Sequence, residues 1–185
     1  YRAVIKSGTC AATNSGTATV TVDPTSVGGS IAGSTTVCSG SNSGSVTLSG
    51  HTGNITKWQQ STDGGVTFAD IVNTSTTQNY NNITQTTIYR AVVKSGTCVS
   101  ANSTTATVTV DAISVGGVLS ASTTVCSSGN SGTITLSGHT GAVQKWQQST
   151  DGGTTFSDIT NTSTTQNYTN LTQTTIYRAV VKNGT

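Results

Sequence analysis

Short runs of alternating hydrophobic and polar residues, separated by clusters of Gly, Ser, Asn and Asp, extend along the whole chain. Residues 17–22 and 105–110 both read Thr-Ala-Thr-Val-Thr-Val. Strict alternation of this kind is typical of strands that bury one face, and we expect Ala18, Val20 and Val22 to point inward. Turn signals recur at intervals of about 8–12 residues, which is the spacing of β-sandwiches. The sequence therefore predicts an all-β fold of sandwich domains with about seven strands each.

The whole pattern repeats with a period of 88 residues. Residues 38–97 and 126–185 differ at 13 of 60 aligned positions. A fixed period indicates an array of equivalent units, and this period suits a small autonomous sandwich domain. We interpret residues 1–23 as the C-terminal hairpin of a truncated repeat, residues 24–111 as a complete repeat and residues 112–185 as a repeat without its last strand. The chain is expected to belong to a longer array of repeats that lie end to end, because half a sandwich would leave its core open.

Each repeat contains the sequence Lys-Trp-Gln-Gln-Ser-Thr-Asp-Gly-Gly, at residues 57–65 and 145–153. A single Trp on a strand is more often the core anchor of a sandwich than a platform for sugar stacking, and we predict that Trp58 and Trp146 are buried. The expected core neighbours of Trp58 are Val46, Leu48, Tyr89 and Val108.

The segment of residues 61–68 predicts a tight hairpin, because Gly64 and Gly65 supply the positive φ that such turns require. The segment resembles the Asp-box of sialidases and related propellers, in which the motif is a structural hairpin. Asp63 and Asp70, with their copies in the second repeat, are too few for an oxygen-rich calcium site.

Candidate catalytic and metal-binding residues are sparse. His51 and His139 lie in Ser-Gly-His-Thr-Gly segments without a second His or a Glu nearby, so we expect them in solvent-facing loops. We therefore expect no catalytic residue, no metal ligand and no cofactor.

The charge pattern argues against two classes of partner. Eight basic and six acidic residues give a net charge of +2 and are spread singly, so no basic stripe indicates a nucleic acid. No hydrophobic run reaches the length of a membrane span, so we expect no membrane insertion of this segment.

The chain has four isolated cysteines, at positions 10, 38, 98 and 126. Cys10 and Cys98 occupy equivalent positions in the 88-residue period, as do Cys38 and Cys126. Their spacing does not match paired zinc ligands, and it favours disulfides in an oxidising compartment. Two pairings fit: Cys38 with Cys98 inside a repeat, or Cys10 with Cys38 and Cys98 with Cys126 across the junction. We favour Cys38–Cys98, because a bond that closes its own repeat recurs in every copy. Cys10 and Cys126 would then have partners outside the chain.

The motif set resembles the immunoglobulin-like repeats of giant surface proteins from Bacteroidota, of which gliding-motility adhesins are the best-known members. The resemblance rests on five motifs: Thr-Val-Cys-Ser-Gly (36–40), Val-Thr-Leu-Ser-Gly (46–50), the Trp58 segment (57–65), Tyr-Arg-Ala-Val-Val-Lys-Ser-Gly-Thr-Cys (89–98) and Ala-Thr-Val-Thr-Val (106–110). It implies export by the type IX pathway and display on the outer membrane as long filaments.

The expected function is therefore structural: a stalk or filament repeat of a cell-surface adhesin, not an enzyme. Its partners would be the neighbouring repeats, while other regions would contact a polysaccharide or an abiotic surface. One alternative is a carbohydrate- or surface-binding module that uses Trp58 or the His51 loop. The other is an accessory domain of a secreted sialidase or glycanase.

Overall fold

The computed structural model describes residues 1–120 and 122–184, which form 17 strands and no helix. The predicted all-β fold is confirmed. No helix within these two ranges is long and apolar enough to cross a bilayer.

The first segment of the chain contains a small hairpin of β1 (Val4–Ile5) and β2 (Thr13–Asn14). The strand predicted over residues 17–22 is not present, and Val20 and Val22 are 72% and 86% exposed. Ala18 exchanges hydrogen bonds with Tyr1, but within the described residues no strand pairs with residues 19–22 and no layer covers Val20 or Val22. A strand needs both a continuous partner edge and a covered face.

The complete repeat is a sandwich of two sheets. Its strands are β3 (Ser30–Ala32), β4 (Thr35–Cys38), β5 (Ser43–Ser49), β6 (Asn54–Ser61), β7 (Ala69–Ile71), β8 (Thr77–Asn81), β9 (Thr87–Lys94), β10 (Ala101–Asn102) and β11 (Ala106–Asp111). The smaller sheet has the order β3-β5-β8. The larger sheet has the order β4-β11-β9-β6-β7, with β10 also paired to β9.

Strand order and direction match an immunoglobulin-like sandwich. Within the repeat the chain passes from the smaller sheet at β3 to the larger sheet at β4. There β4 runs parallel to β11, from Thr35 opposite Val108 to Cys38 opposite Asp111. The other pairs are antiparallel.

The core lies between the sheets and follows from the alternation along each strand. Val46 and Leu48 face inward from β5, while Trp58 faces inward from β6 and is 0% exposed. Strands β9 and β11 complete the cluster with Tyr89, Ala91, Val93, Ala106 and Val108.

The second repeat forms β12 (Val118–Leu119), β13 (Ser131–Ser137), β14 (Ala142–Ser149), β15 (Ser157–Ile159), β16 (Thr165–Thr169) and β17 (Ile176–Lys182). Two three-stranded sheets result, β12-β13-β16 and β15-β14-β17. Residues 123–126, which correspond to β4, form no strand, because none of the described residues lies in the position of β11 to pair with them. A cavity of about 620 Å³ opens there. Its lining includes Leu119, Ile134, Tyr168 and Tyr177, the counterparts of core residues in the complete repeat.

Candidate functional site

The outer face of the larger sheet carries a row of paired polar side chains. Arg90 Nε donates a hydrogen bond to Gln59 Oε1 at 2.7 Å, and Gln59 Nε2 donates to Asp70 Oδ1 at 2.7 Å. Lys57 Nζ lies 2.7 Å from Asp70 Oδ2. The Arg90 guanidinium covers the ring of Phe68, with Cζ 3.7 Å from the ring centroid. We call these five residues the outer row.

Strand register produces the outer row. Lys57 and Gln59 flank the buried Trp58, so both point outward from β6. Gln59 is the direct partner of Asp70 on β7 and of Arg90 on β9. The second repeat has the same row, with the same hydrogen-bond and cation–π distances, in Lys145, Gln147, Phe156, Asp158 and Arg178.

Within the outer row, Lys57 and Asp70 form an ion pair, while Arg90 contacts the uncharged side chains of Gln59 and Phe68. The Lys57 ammonium, followed by the Gln59 amide, holds the pKa of the Asp70 carboxyl below its ordinary value. The Lys57 and Asp70 side chains are 38% and 55% exposed, and an ion pair so open to solvent contributes little to stability. The outer row is therefore a feature of the protein surface rather than a main source of folding stability.

The predicted Asp63 hairpin is a closed hydrogen-bonded unit. Asp63 accepts hydrogen bonds from the Thr67 backbone N–H at 3.0 Å, from the Thr67 hydroxyl, and from Ser61 Oγ at 2.7 Å. Ser61 Oγ in turn accepts the Gly65 N–H at 2.9 Å. Gly64 and Gly65 have φ of 77° and 91°, as the turn requires.

These donors lower the pKa of the Asp63 carboxyl far below its ordinary value of 3.8. The Thr67 hydroxyl has the largest effect, followed by the Thr67 backbone N–H and Ser61. Asp151 in the second repeat has the equivalent partners and the same shift. Because the carboxylate oxygens are occupied by internal donors, the hairpin is built for local structure.

The indoles of Trp58 and Trp146 are both 0% exposed. Trp58 Nε1 donates to the Ser75 carbonyl, and Trp146 Nε1 donates to the Ser163 carbonyl, both at 2.9 Å. Trp58 belongs to one buried cluster with all four residues named from the sequence: Val46, Leu48, Tyr89 and Val108. Neither ring has a face available for stacking on a sugar.

His51 and His139 lie in the loops before β6 and β14 and are half-buried rather than solvent-facing. Within residues 1–120 and 122–184, His139 Nδ1 is buried without a hydrogen-bond partner. Over the same residues, no three His, Cys, Asp or Glu side chains lie close enough to hold a metal ion.

The four cysteines are unbonded in the structure. Strand register separates Cys38 from Cys98, because Val108 lies level with both Thr35 and Thr87. From that level Cys38 lies toward one end of the sandwich, while Cys98 follows β9 at the other end. At about 3.3 Å per residue the two are roughly 30 Å apart, and a disulfide needs Cα atoms within about 7 Å. The predicted Cys38–Cys98 disulfide is therefore corrected.

The turn after β9 holds the segment through which the chain enters the repeat. The Asp23 carboxylate accepts hydrogen bonds from Thr97 N–H at 3.0 Å and from Thr97 Oγ1 at 3.3 Å. It also packs against Gly96, where a Cβ would collide with the carboxylate. Ser95 N–H donates to the buried Ser26 Oγ at 2.9 Å. We call residues 23–27 and 111–115 the junctions.

The second junction has equivalent contacts. The Asp111 carboxylate packs against Gly184, which has φ of 75°. Asn183 N–H donates to Ser114 Oγ at 2.8 Å, and Asn183 Nδ2 donates to the Ala112 carbonyl at 2.8 Å. Each junction is therefore bound by the turn of the repeat that follows it.

The model of a protein family described as Domain of unknown function (DUF8696) matches the chain over residues 27–112 and again over residues 115–185. The chain belongs to this family. A search of the curated proteins found no match. Each DUF8696 match contains one outer row, one Asp hairpin and one buried Trp.

Two features of the DUF8696 repeat are not predicted by the sequence pattern alone. The sequence indicates part of the outer row, because Lys57 and Gln59 alternate with the buried Trp58. Its other members can be identified only once the strand register is known. The Asp23 contact had a weaker signal, the recurrence of Asp at the end of both Thr-Ala-Thr-Val-Thr-Val segments.

Proposed function

We propose that the chain is a structural segment of a long extracellular filament, in which DUF8696 repeats space a distal binding region from a bacterial outer membrane. One observation carries the proposal: the residue that ends the last strand of a repeat also contacts the repeat that follows. Asp111 ends β11, and its carboxylate packs against Gly184.

The junctions leave almost no unattached linker. Ala112 and Ser114 accept hydrogen bonds from Asn183, and Val115 is already bridged to Thr140. Longer flexible linkers let domains reorient, whereas a junction whose residues are bound one after another restricts them. A repeated, restricted junction suits a spacer.

The surface supports the same role. The outer row contains one ion pair in each repeat, Lys57–Asp70 and Lys145–Asp158, and both copies of the row are the same in residue type. A spacer requires every unit to do the same work. The sugar-binding alternative loses its aromatic platform, because Trp58 is buried.

The proposed location rests on the resemblance to surface adhesin repeats of Bacteroidota. In this proposal the neighbouring repeats are the direct partners of each unit, and contact with a polysaccharide or an abiotic surface is made by other regions of the protein.

Small-angle scattering on chains with one, two and four complete repeats tests the proposal. The maximum dimension should grow in proportion to repeat number, by at least about 25 Å per repeat, given the eight residues of β6. A flexible Gly-Ser insert after Asp111 is the matched control, and it should shorten the mean extension. A maximum dimension that levels off as repeats are added would overturn the stalk proposal.

A further inference from the structure

Cys98 lies against the backbone of the first junction. Its Sγ is 3.4 Å from the Pro24 carbonyl oxygen and 3.7 Å from the Asp23 carbonyl oxygen. The thiol is half-buried and follows the turn that binds the Asp23 carboxylate. Cys98 therefore marks the end of the repeat at which the chain enters.

Cys38 lies at the opposite end, where the chain leaves. It is the last residue of β4 and pairs with Asp111, the last residue of β11. The neighbouring Ser39 N–H donates a hydrogen bond to the Asp111 carbonyl oxygen at 2.9 Å. Cys38 itself is exposed.

Asp23 and Asp111 are equivalent positions in the 88-residue period. Each ends a Thr-Ala-Thr-Val-Thr-Val-Asp sequence, and each carboxylate packs against the glycine of the following turn, Gly96 or Gly184. At a junction between two complete repeats, a single aspartate carbonyl would therefore receive both contacts. The Ser39-type N–H reaches it from the preceding repeat, and the Cys98-type thiol reaches it from the following one.

The two contacts bring the cysteines together. A sulfur 3.7 Å from the carbonyl oxygen and a nitrogen 2.9 Å from it are at most about 7 Å apart, and that nitrogen is bonded directly to Cys38. Disulfides join residues whose Cα atoms are about 4.4–6.8 Å apart, and the two contacts allow a separation in this range. Because the Cys38 side chain is exposed, it can turn toward the thiol of the next repeat.

We propose that each junction of a DUF8696 array carries a disulfide between the Cys38-type cysteine of one repeat and the Cys98-type cysteine of the next. This inference rests on the proposed tandem array. The two thiols lose two protons and two electrons as the S–S bond forms, and a disulfide oxidant such as oxidised glutathione accepts both and becomes two thiols. The bond crosslinks successive repeats and limits bending at the junction.

The proposed pairing fixes where the partner of each cysteine would lie in the 88-residue period. The partner of Cys38 would be residue 186, and the partner of Cys98 would belong to the repeat before the complete one. Under this pairing, therefore, no two of the four cysteines are partners of each other.

The test compares the chain with a version extended by a second copy of residues 98–111, which supplies the missing cysteine and the last strand. Both are refolded at low concentration in a glutathione redox buffer. Digestion with trypsin and a protease that cuts before Asp separates all the cysteines, because Asp23 divides Cys10 from Cys38 and Asp111 divides Cys98 from Cys126. Non-reducing mass spectrometry then identifies any linked peptides.

The original chain should keep four titratable thiols, and the extended chain should lose two of its five by linking Cys38 to the added cysteine. Cys38→Ser should abolish the link, and Cys126→Ser, the matched control, should leave it intact. A free added cysteine, or one linked to Cys98 or Cys126, would overturn the disulfide proposal. Small-angle scattering of the Cys38→Ser chain tests the stalk proposal separately, because an extended arrangement of the repeats does not require the disulfide.

Discussion

Trp58 donates its indole N–H to the Ser75 carbonyl at 2.9 Å, while its side chain is 0% exposed. The bond joins β6 in the larger sheet to the segment that leads into β8 in the smaller sheet. The indole thus links the two layers both by packing and by a buried hydrogen bond.

Removal of this link should be the most damaging single change in the complete repeat. Trp58→Ala leaves a large cavity and an unsatisfied Ser75 carbonyl, and it should cost about 3–5 kcal/mol. Trp58→Phe keeps most of the volume and loses the N–H, at a cost of about 1–3 kcal/mol. Thermal unfolding by circular dichroism checks both. Equal melting curves for Trp58→Ala and the unmodified chain would contradict the core assignment.

The core could be predicted from the sequence because alternation decides which side chains point inward once a strand forms. The outer row could not, because it depends on the register of β6 with β7 and with β9, and Gln59 and Arg90 are 31 residues apart in sequence. Alternation alone also fails where no partner exists. The same six residues form most of β11 at 105–110 and no strand at 17–22. The cysteine pairing failed for a related reason: position along the chain does not give position along the sandwich.

The Asp63 hairpin should weaken in acid. Its folded pKa lies below the unfolded value, so the unfolded state takes up a proton first as the pH falls. The stabilisation is therefore present above about pH 4, the unfolded pKa of Asp, and is lost progressively below it. Melting temperatures of the unmodified chain and of an Asp63→Asn, Asp151→Asn chain, measured from pH 7 to pH 2, check this.

The gap between those two melting temperatures should be widest at neutral pH and should shrink below pH 4. Thr62→Ser is a control on the same hairpin, because Thr62 makes none of these bonds, and its gap should not change with pH. A gap between the unmodified and Asn chains that stays constant down to pH 2 would show that the hairpin carboxylates do not contribute through ionisation.

Gly96→Ala should loosen the junction as well as strain the turn. A Cβ at a positive φ costs about 1 kcal/mol, and at Gly96 it also collides with the Asp23 carboxylate. Gly64 also has a positive φ, of 77° against 45° at Gly96, but a Cβ at Gly64 meets no atom within 4 Å. Gly96→Ala should therefore destabilise the chain more than Gly64→Ala in thermal unfolding.

A double-mutant cycle measures how much of the cost of Gly96→Ala comes from the contact with the Asp23 carboxylate. Asp23→Ala removes the carboxylate that a Gly96 side chain would meet, so the two changes together should cost less than the sum of their separate costs. Strict additivity would mean that the Asp23–Gly96 contact carries no coupling and that the junction is held by its other bonds.

The repeated hexapeptide offers a test in which the local sequence is held constant. Val108 on β11 is 0% exposed, whereas Val20, at the equivalent position of the first segment, is 72% exposed. Val→Thr keeps the volume and adds a hydroxyl, so Val108→Thr buries a polar group without a designed partner and should cost about 1–3 kcal/mol. Val20→Thr should have almost no effect. Urea unfolding followed by circular dichroism, which reports on the strands of the first segment as well as on those of the complete repeat, measures both substitutions. If both substitutions had the same cost, burial in the sandwich would not be what distinguishes the two copies.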